Sequence, residues 1–192
     1  MPKSRPRKNK KAAKPKSKPK SKSKSRSKRP SPIPEGFRSV TPYLAINGAA
    51  EAIEWYKKAF GAKEFVKERQ VMPDGRLMHG RILIGDSIVM MSDVVPGGTH
   101  KDPLELGSTP VTLHIYVTNV DEVWNRAVEN GAKVDQRLDN QFWGERYGQL
   151  RDPFGHSWSL SMRVQMSPEE LEQKRQQAMS MFAQNQHPAS SE

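Results

Sequence analysis

The chain contains no cysteine. That excludes disulfides, cysteine-ligated zinc, iron–sulfur centres and a cysteine nucleophile. Long apolar runs are also missing. None approaches the ~20 residues of a membrane-spanning helix, and there is no hydrophobic signal-peptide core. These absences set the expectation of a cytoplasmic location, with nucleoid or nuclear association if a basic arm directs it. No P-loop, dinucleotide fingerprint, HExxH pair or nucleophile elbow occurs. Acid is absent from one region only: residues 1–32 hold 15 Lys and Arg and no Asp or Glu.

The formal net charge of +11 therefore averages two unlike parts, +15 in residues 1–32 and −4 in residues 33–192. The first part alternates Lys with Ser and Pro and has no apolar side chain larger than Ala between Pro2 and Pro32. Such a segment has nothing to bury against the entropy of ordering, so disorder is expected. Its proline and repelling charges favour extended conformations. Lys14, Lys16, Lys18, Lys20, Lys22, Lys24, Arg26, Lys28 and Arg29 can hold a polyanion by releasing its counterions, without base specificity. Nucleic acid, an acidic protein and an anionic membrane surface are all open as partners. So are a targeting role and a purely solubilising one.

After residue 33 the pattern becomes globular. Ser39 to Ile46 reads as a strand, and Asn47-Gly48 as a turn. Ala49 to Phe60 reads as a helix, because Ala52, Ile53, Tyr56 and Phe60 recur at spacings of three and four. Gly61 supplies its C-cap. Phe65 to Val71, Leu77 to Ile84 and Ser87 to Ser92 read as strands, the last two joined by the hairpin signal Gly85-Asp86. Residues 95–110, rich in Pro and Gly, read as a connecting loop.

The same order then returns. Val111 to Val117 is a strand and Val120 to Asn130 a helix, and Gly131-Ala132-Lys133 repeats Gly61-Ala62-Lys63. Strands follow at Val134 to Leu138, Tyr147 to Arg151 and Ser157 to Met162. The chain thus duplicates a βαβββ unit. An α+β fold of paired βαβββ modules follows. Two such modules side by side would make one larger curved sheet with helices outside and a small-molecule cleft lined from both halves. The domain boundaries expected are 37–163, with modules 37–94 and 111–163. Ser167-Pro168-Glu169-Glu170 starts a peripheral helix over 167–183, with a capping box.

Four pieces carry a family resemblance. They are Thr41-Pro42-Tyr43-Leu44 with Ala52-Ile53-Glu54-Trp55-Tyr56; Met78-His79-Gly80-Arg81 before Ile84-Gly85-Asp86; Leu113-His114-Ile115-Tyr116-Val117; and Phe142-Trp143-Gly144-Glu145-Arg146 with Asp152-Pro153-Phe154-Gly155-His156. In order and spacing they resemble the vicinal oxygen chelate superfamily, and within it the glyoxalase/bleomycin resistance, PhnB-like branch.

The resemblance implies a small-molecule cleft and, in metal-dependent members, four His or Glu ligands, two per module. A divalent ion so held stabilises charge on two substrate oxygens. Here His114 fills one such position. The others fall near Thr41 to Tyr43, at Met91 to Asp93 and at Ser159, so no cofactor is expected and a divalent metal is disfavoured. His114 and Glu145 are the candidate proton-transfer residues. His79, Tyr43, Trp143 and Arg146 are the candidate substrate contacts. Trp143 would stack on the ligand, and Arg146 would fork onto an anionic group. The bland alternatives are a hydrogen-bonded strand histidine at position 114 and a Glu145–Arg146 pair capping a sheet edge. By resemblance a homodimer is expected. The function expected is that of a lyase, isomerase or dioxygenase-like enzyme, or of a resistance-type protein that sequesters its ligand without turnover.

Overall fold

The computed structural model of the protein describes residues 31–185, so the disorder and polyanion contacts expected of the basic arm fall outside the described residues. The first module contains β1 (Tyr43–Ile46), α1 (Ala49–Phe60), β2 (Lys63–Glu64), β3 (Gln70–Val71), β4 (Leu77–Ile84) and β5 (Ser87–Asp93). A short helix, α2 (Pro103–Leu106), sits in the connection. The second module contains β6 (Thr112–Tyr116), α3 (Val120–Glu129), β7 (Lys133–Asn140), β8 (Glu145–Arg151) and β9 (Ser157–Arg163). Helix α4 (Pro168–Asn185) follows.

The two sheets repeat one topology, β1-β5-β4-β2 and β6-β9-β8-β7, with β3 added beside β4. In each, the first and last strands of the module pair in parallel. Tyr43 lies opposite Met90, and His114 opposite Ser159. The remaining ladders are antiparallel. The internal duplication is thus a duplication of architecture, an α+β fold of two βαβββ modules.

Helix α1 forms from its apolar stripe and ends at Gly61, whose φ of 67° suits a residue without Cβ. Its start is capped from afar. Asp93, at the end of β5, accepts hydrogen bonds from the amides of Gly48 (2.8 Å) and Ala49 (2.9 Å) with one oxygen. The other accepts from the amide of Leu77 at 2.6 Å. One buried carboxylate therefore joins the first turn of α1 to the start of β4.

The expected strand at Phe65 to Val71 is instead a 3₁₀ turn, Val66–Glu68, between two-residue strands. The cause lies on β4. The Arg81 guanidinium stacks over the Phe65 ring at 4.5 Å and pairs with Glu68, which draws the segment off the ladder.

The expected single sheet is also corrected. There are two sheets, and the helices lie inside rather than outside. Tyr56 and Phe60 of α1 pack on Trp158 of β9, at ring separations of 5.4 and 4.9 Å. Trp55 Nε1 donates to the Asn130 carbonyl at the end of α3. Arg126 of α3 donates to the Ala59 carbonyl of α1. The core is therefore shared, with Ile53, Tyr56, Trp124 and Trp158 buried between the helix-bearing faces of both sheets. The opposite face of each sheet carries no helix of its own module.

Asp152 fastens the two modules. Its Oδ1 accepts from the amides of Phe154 and His156, shaping the turn before β9. Its Oδ2 accepts from Tyr56 Oη at 2.7 Å and Trp158 Nε1 at 2.8 Å. Burial first, and the Asp152 charge second, push the Tyr56 phenol well above its ordinary range, which keeps it a donor.

Candidate functional site

Alternation along three strands builds a polar and aromatic platform on the open face of the second sheet. Leu113 and Ile115 of β6 turn to the core, so His114 and Tyr116 turn outward. Parallel pairing sets Ser159 beside His114 and Ser161 beside Tyr116. Antiparallel pairing sets Tyr147 beside Ser161 and Glu145 beside Arg163. Gly144, at φ 87°, makes the tight turn that brings Trp143 back over this face.

Glu145 is the hub. Its Oε1 accepts from Tyr116 Oη at 3.0 Å. Its Oε2 accepts from Ser161 Oγ at 2.7 Å and Trp143 Nε1 at 3.2 Å. The Ser161 hydroxyl above all, then Tyr116 and Trp143, hold the carboxyl below its usual range, against the opposing effect of partial burial. The same contact with Glu145 raises the Tyr116 phenol. His114 Nδ1 shares a 2.7 Å hydrogen bond with Ser159 Oγ, which leaves Nε2 for other contacts. The His114 ring meets Tyr116 edge-on at 4.6 Å and lies nearly parallel to Tyr147 at 5.9 Å. Trp143 meets Tyr147 at 5.5 Å. Tyr116 is 66% exposed and Trp143 46% exposed, so the rings are accessible.

Of the residues singled out from sequence, His114, Glu145 and Trp143 therefore come together. Arg146 does not join them. As the next residue on β8 it points to the helix side, where its guanidinium forks onto Asp121 of α3, with Nε at 2.9 Å and Nη2 at 2.6 Å. The expected Glu145–Arg146 pair is therefore not formed. Tyr43 and His79 lie on the open face of the first sheet, with ring centroids 6.0 Å apart. Among the described residues no hydrogen bond, ion pair or ring contact joins them to the His114 face. Tyr116, Tyr147 and Ser161 were not singled out from sequence, and Ser159 was noted only as a position where a metal ligand is missing. Two-residue alternation from His114 would have found Tyr116. The place of Ser161, and the direct pairing of Ser159 with His114, needed the register of β9 against β6.

The donor set does not suit a divalent ion. Among the described residues no group of three or more His, Asp or Glu side chains is arranged to hold a metal. Asp93 spends its oxygens on three amides, on the core side of its sheet. Ser159, a weak ligand, stands beside His114.

Paired modules of one topology, with a polar pocket face opposite the helices, define the class of the vicinal oxygen chelate proteins. The chain belongs to the Glyoxalase/Bleomycin resistance protein/Dioxygenase superfamily, whose sequence model matches residues 39–160. It is 46% identical over 129 residues to the uncharacterized protein Mb0911c of Mycobacterium bovis, covering 66% of this chain and 84% of that one. The crystal structure of TioX from Micromonospora sp. ML1 matches with a TM-score of 0.50 and 26% identity, over 68% of this chain and 100% of the other. The PhnB protein from Bacillus cereus, at 18% identity, shares the fold, with a TM-score of 0.52 over 65% of this chain and 99% of its own.

Proposed function

We propose that the protein binds a small aromatic molecule on the His114–Glu145 platform and holds it without chemical turnover. The observation that carries this reading is the state of Glu145. Three side-chain donors occupy its oxygens and favour the ionised form, so it is a poor proton acceptor. It serves better as a fixed negative point that orients Tyr116 and Trp143 around a ligand. The exposed rings of Tyr116 and Trp143 and the half-buried ring of Tyr147 offer stacking area, and His114 Nε2 offers one directional hydrogen bond.

A homodimer completes this reading. Among the described residues each sheet's open face lacks a helix, and a second copy could set its Tyr43–His79 face against the His114 face. Calorimetry across aromatic antibiotics and small aromatic amines, alongside sedimentation, tests both parts. The expected outcome is a two-chain species whose ligand affinity drops about tenfold or more in Trp143→Ala, the usual scale for one lost aromatic contact. Unchanged affinity in that variant overturns the platform, a single-chain mass overturns the dimer, and product formed on long incubation replaces sequestration with catalysis by His114.

The arm supports a second, separable reading, polyanion contact. Its +15 charge without any acid motivates that reading.

A further inference from the structure

On the platform, one carboxylate stands among three aromatic side chains. Ser161 lies between Tyr116 and Tyr147 in the row that crosses β6, β9 and β8. Its side chain is small, so the Glu145 carboxylate can lie over it, held by the serine hydroxyl at 2.7 Å. Tyr116 Oη donates to one oxygen of that carboxylate and Trp143 Nε1 to the other. Rings whose polar edges donate to an anion are polarised by it, which enriches their negative faces. Those faces hold no cation of this chain: among the described residues the cation–ring contacts all belong to Arg81, on the first sheet. Arg163 lies opposite Glu145 on β9, yet the carboxylate takes three neutral donors instead.

We propose that the platform selects aromatic ligands bearing an alkylated ammonium group, seated against the Trp143 and Tyr116 rings beside Glu145, a selection that rests on the platform binding proposed above. Three observations choose that chemistry. The two rings are open to a ligand, at 46% and 66% exposure, and aromatic faces attract cations. Glu145 adds a full negative charge, because the Ser161 hydroxyl above all holds its carboxyl below the usual range. Its three donors already occupy most of the roughly four lone-pair sites of a carboxylate. A primary ammonium, with three donors to satisfy, finds few acceptors there, whereas a fully alkylated one has none to satisfy. Anions are disfavoured by the Glu145 charge. Arg163 and His114 are the other ionisable groups whose charge reaches this spot. Arg163, exposed at the end of β9, opposes a bound cation, so removing its charge should tighten binding.

The test uses the full chain at neutral pH and two probes of one shape, (4-hydroxymethylphenyl)trimethylammonium and 4-tert-butylbenzyl alcohol, which differ by a single charge. Calorimetry gives the ratio of their affinities. The ammonium should bind about tenfold more tightly, the product of two cation–ring contacts at exposed positions. That ratio should fall toward one in Glu145→Gln, which removes the charge, and in Trp143→Leu, which keeps apolar area and removes the ring. Far-ultraviolet circular dichroism should stay unchanged in both. Arg163→Gln should raise the ratio. A wild-type ratio of one or less overturns the selection, and alcohol binding that is lost in Trp143→Ala then leaves the platform itself standing. A ratio unchanged in both folded variants overturns it as well, since the cation then sits elsewhere. If neither probe binds, the selection falls, and the platform falls with it only if the aromatic antibiotics and amines also fail to bind.

Discussion

Asp152 receives four donors from two modules, two of them backbone amides and two the side chains of Tyr56 and Trp158. Its removal leaves several buried donors unpaired at once, and hydrogen bonds to charged groups are the stronger kind. Asp152→Ala should therefore lose about 3 kcal/mol or more of stability in urea unfolding, and Tyr56→Phe about 1–2 kcal/mol. Equal small losses in both would show that the carboxylate is not the joint between the modules. The neighbouring His156 gives a pH signature. Burial depresses its pKa below the ordinary value, with the Asp152 charge opposing. Below about pH 6.5 the unfolded chain binds a proton that the folded chain refuses. Its contribution is thus fully present above pH 6.5 and lost as pH falls toward the depressed folded value. The stability curve of the wild type should slope down between pH 6.5 and 5. His156→Phe should flatten that segment, and an identical slope in the variant would remove His156 as its source.

At the scale of elements, helix α3 is seated on β8 by the absence of a side chain. A Cβ on Gly148 would lie 2.6 Å from the Trp124 ring and 2.9 Å from Leu138 Cα. Gly148→Ala should push α3 off the sheet and cost about 1–3 kcal/mol, as overpacking of a filled core does. A melting midpoint unchanged from wild type would mean that Trp124 can swing aside freely. Other elements were legible to different degrees. The periodicity of α1 reproduces its observed bounds, because an apolar stripe and a terminal glycine are local signals. The helix over residues 167–183 is found as α4, Pro168–Asn185, started by the Ser167 and Glu170 capping box. The strand expected at Phe65 to Val71 was displaced by Arg81 and Phe65, a contact across strands that local pattern does not carry.

For the whole molecule, charge separates what folding joins. The domain is mildly acidic, and the positive charge is concentrated in residues 1–32. DNA binding by the full chain should weaken steeply between low and physiological salt and disappear when residues 1–32 are deleted. Retained binding by the shortened chain would move the contact onto the domain and refute the arm's role. Deletion should leave ligand affinity at the platform unchanged, since no platform residue lies in the arm.

The sequence by itself determined the βαβββ duplication, most element positions and the family. Those rest on local periodicity, glycine placement and the repeated order of motifs. It also brought His114, Glu145 and Trp143 forward, together with His79, Tyr43 and Arg146. Only the tertiary structure decided which face each residue serves. Adjacent residues on a strand point to opposite faces, so Glu145 joins His114 while Arg146 turns away to Asp121. The packing of α1 against Trp158 placed the helices between the sheets. That choice depends on how buried surfaces of two modules fit one another, and a repeat read along the chain holds no record of it.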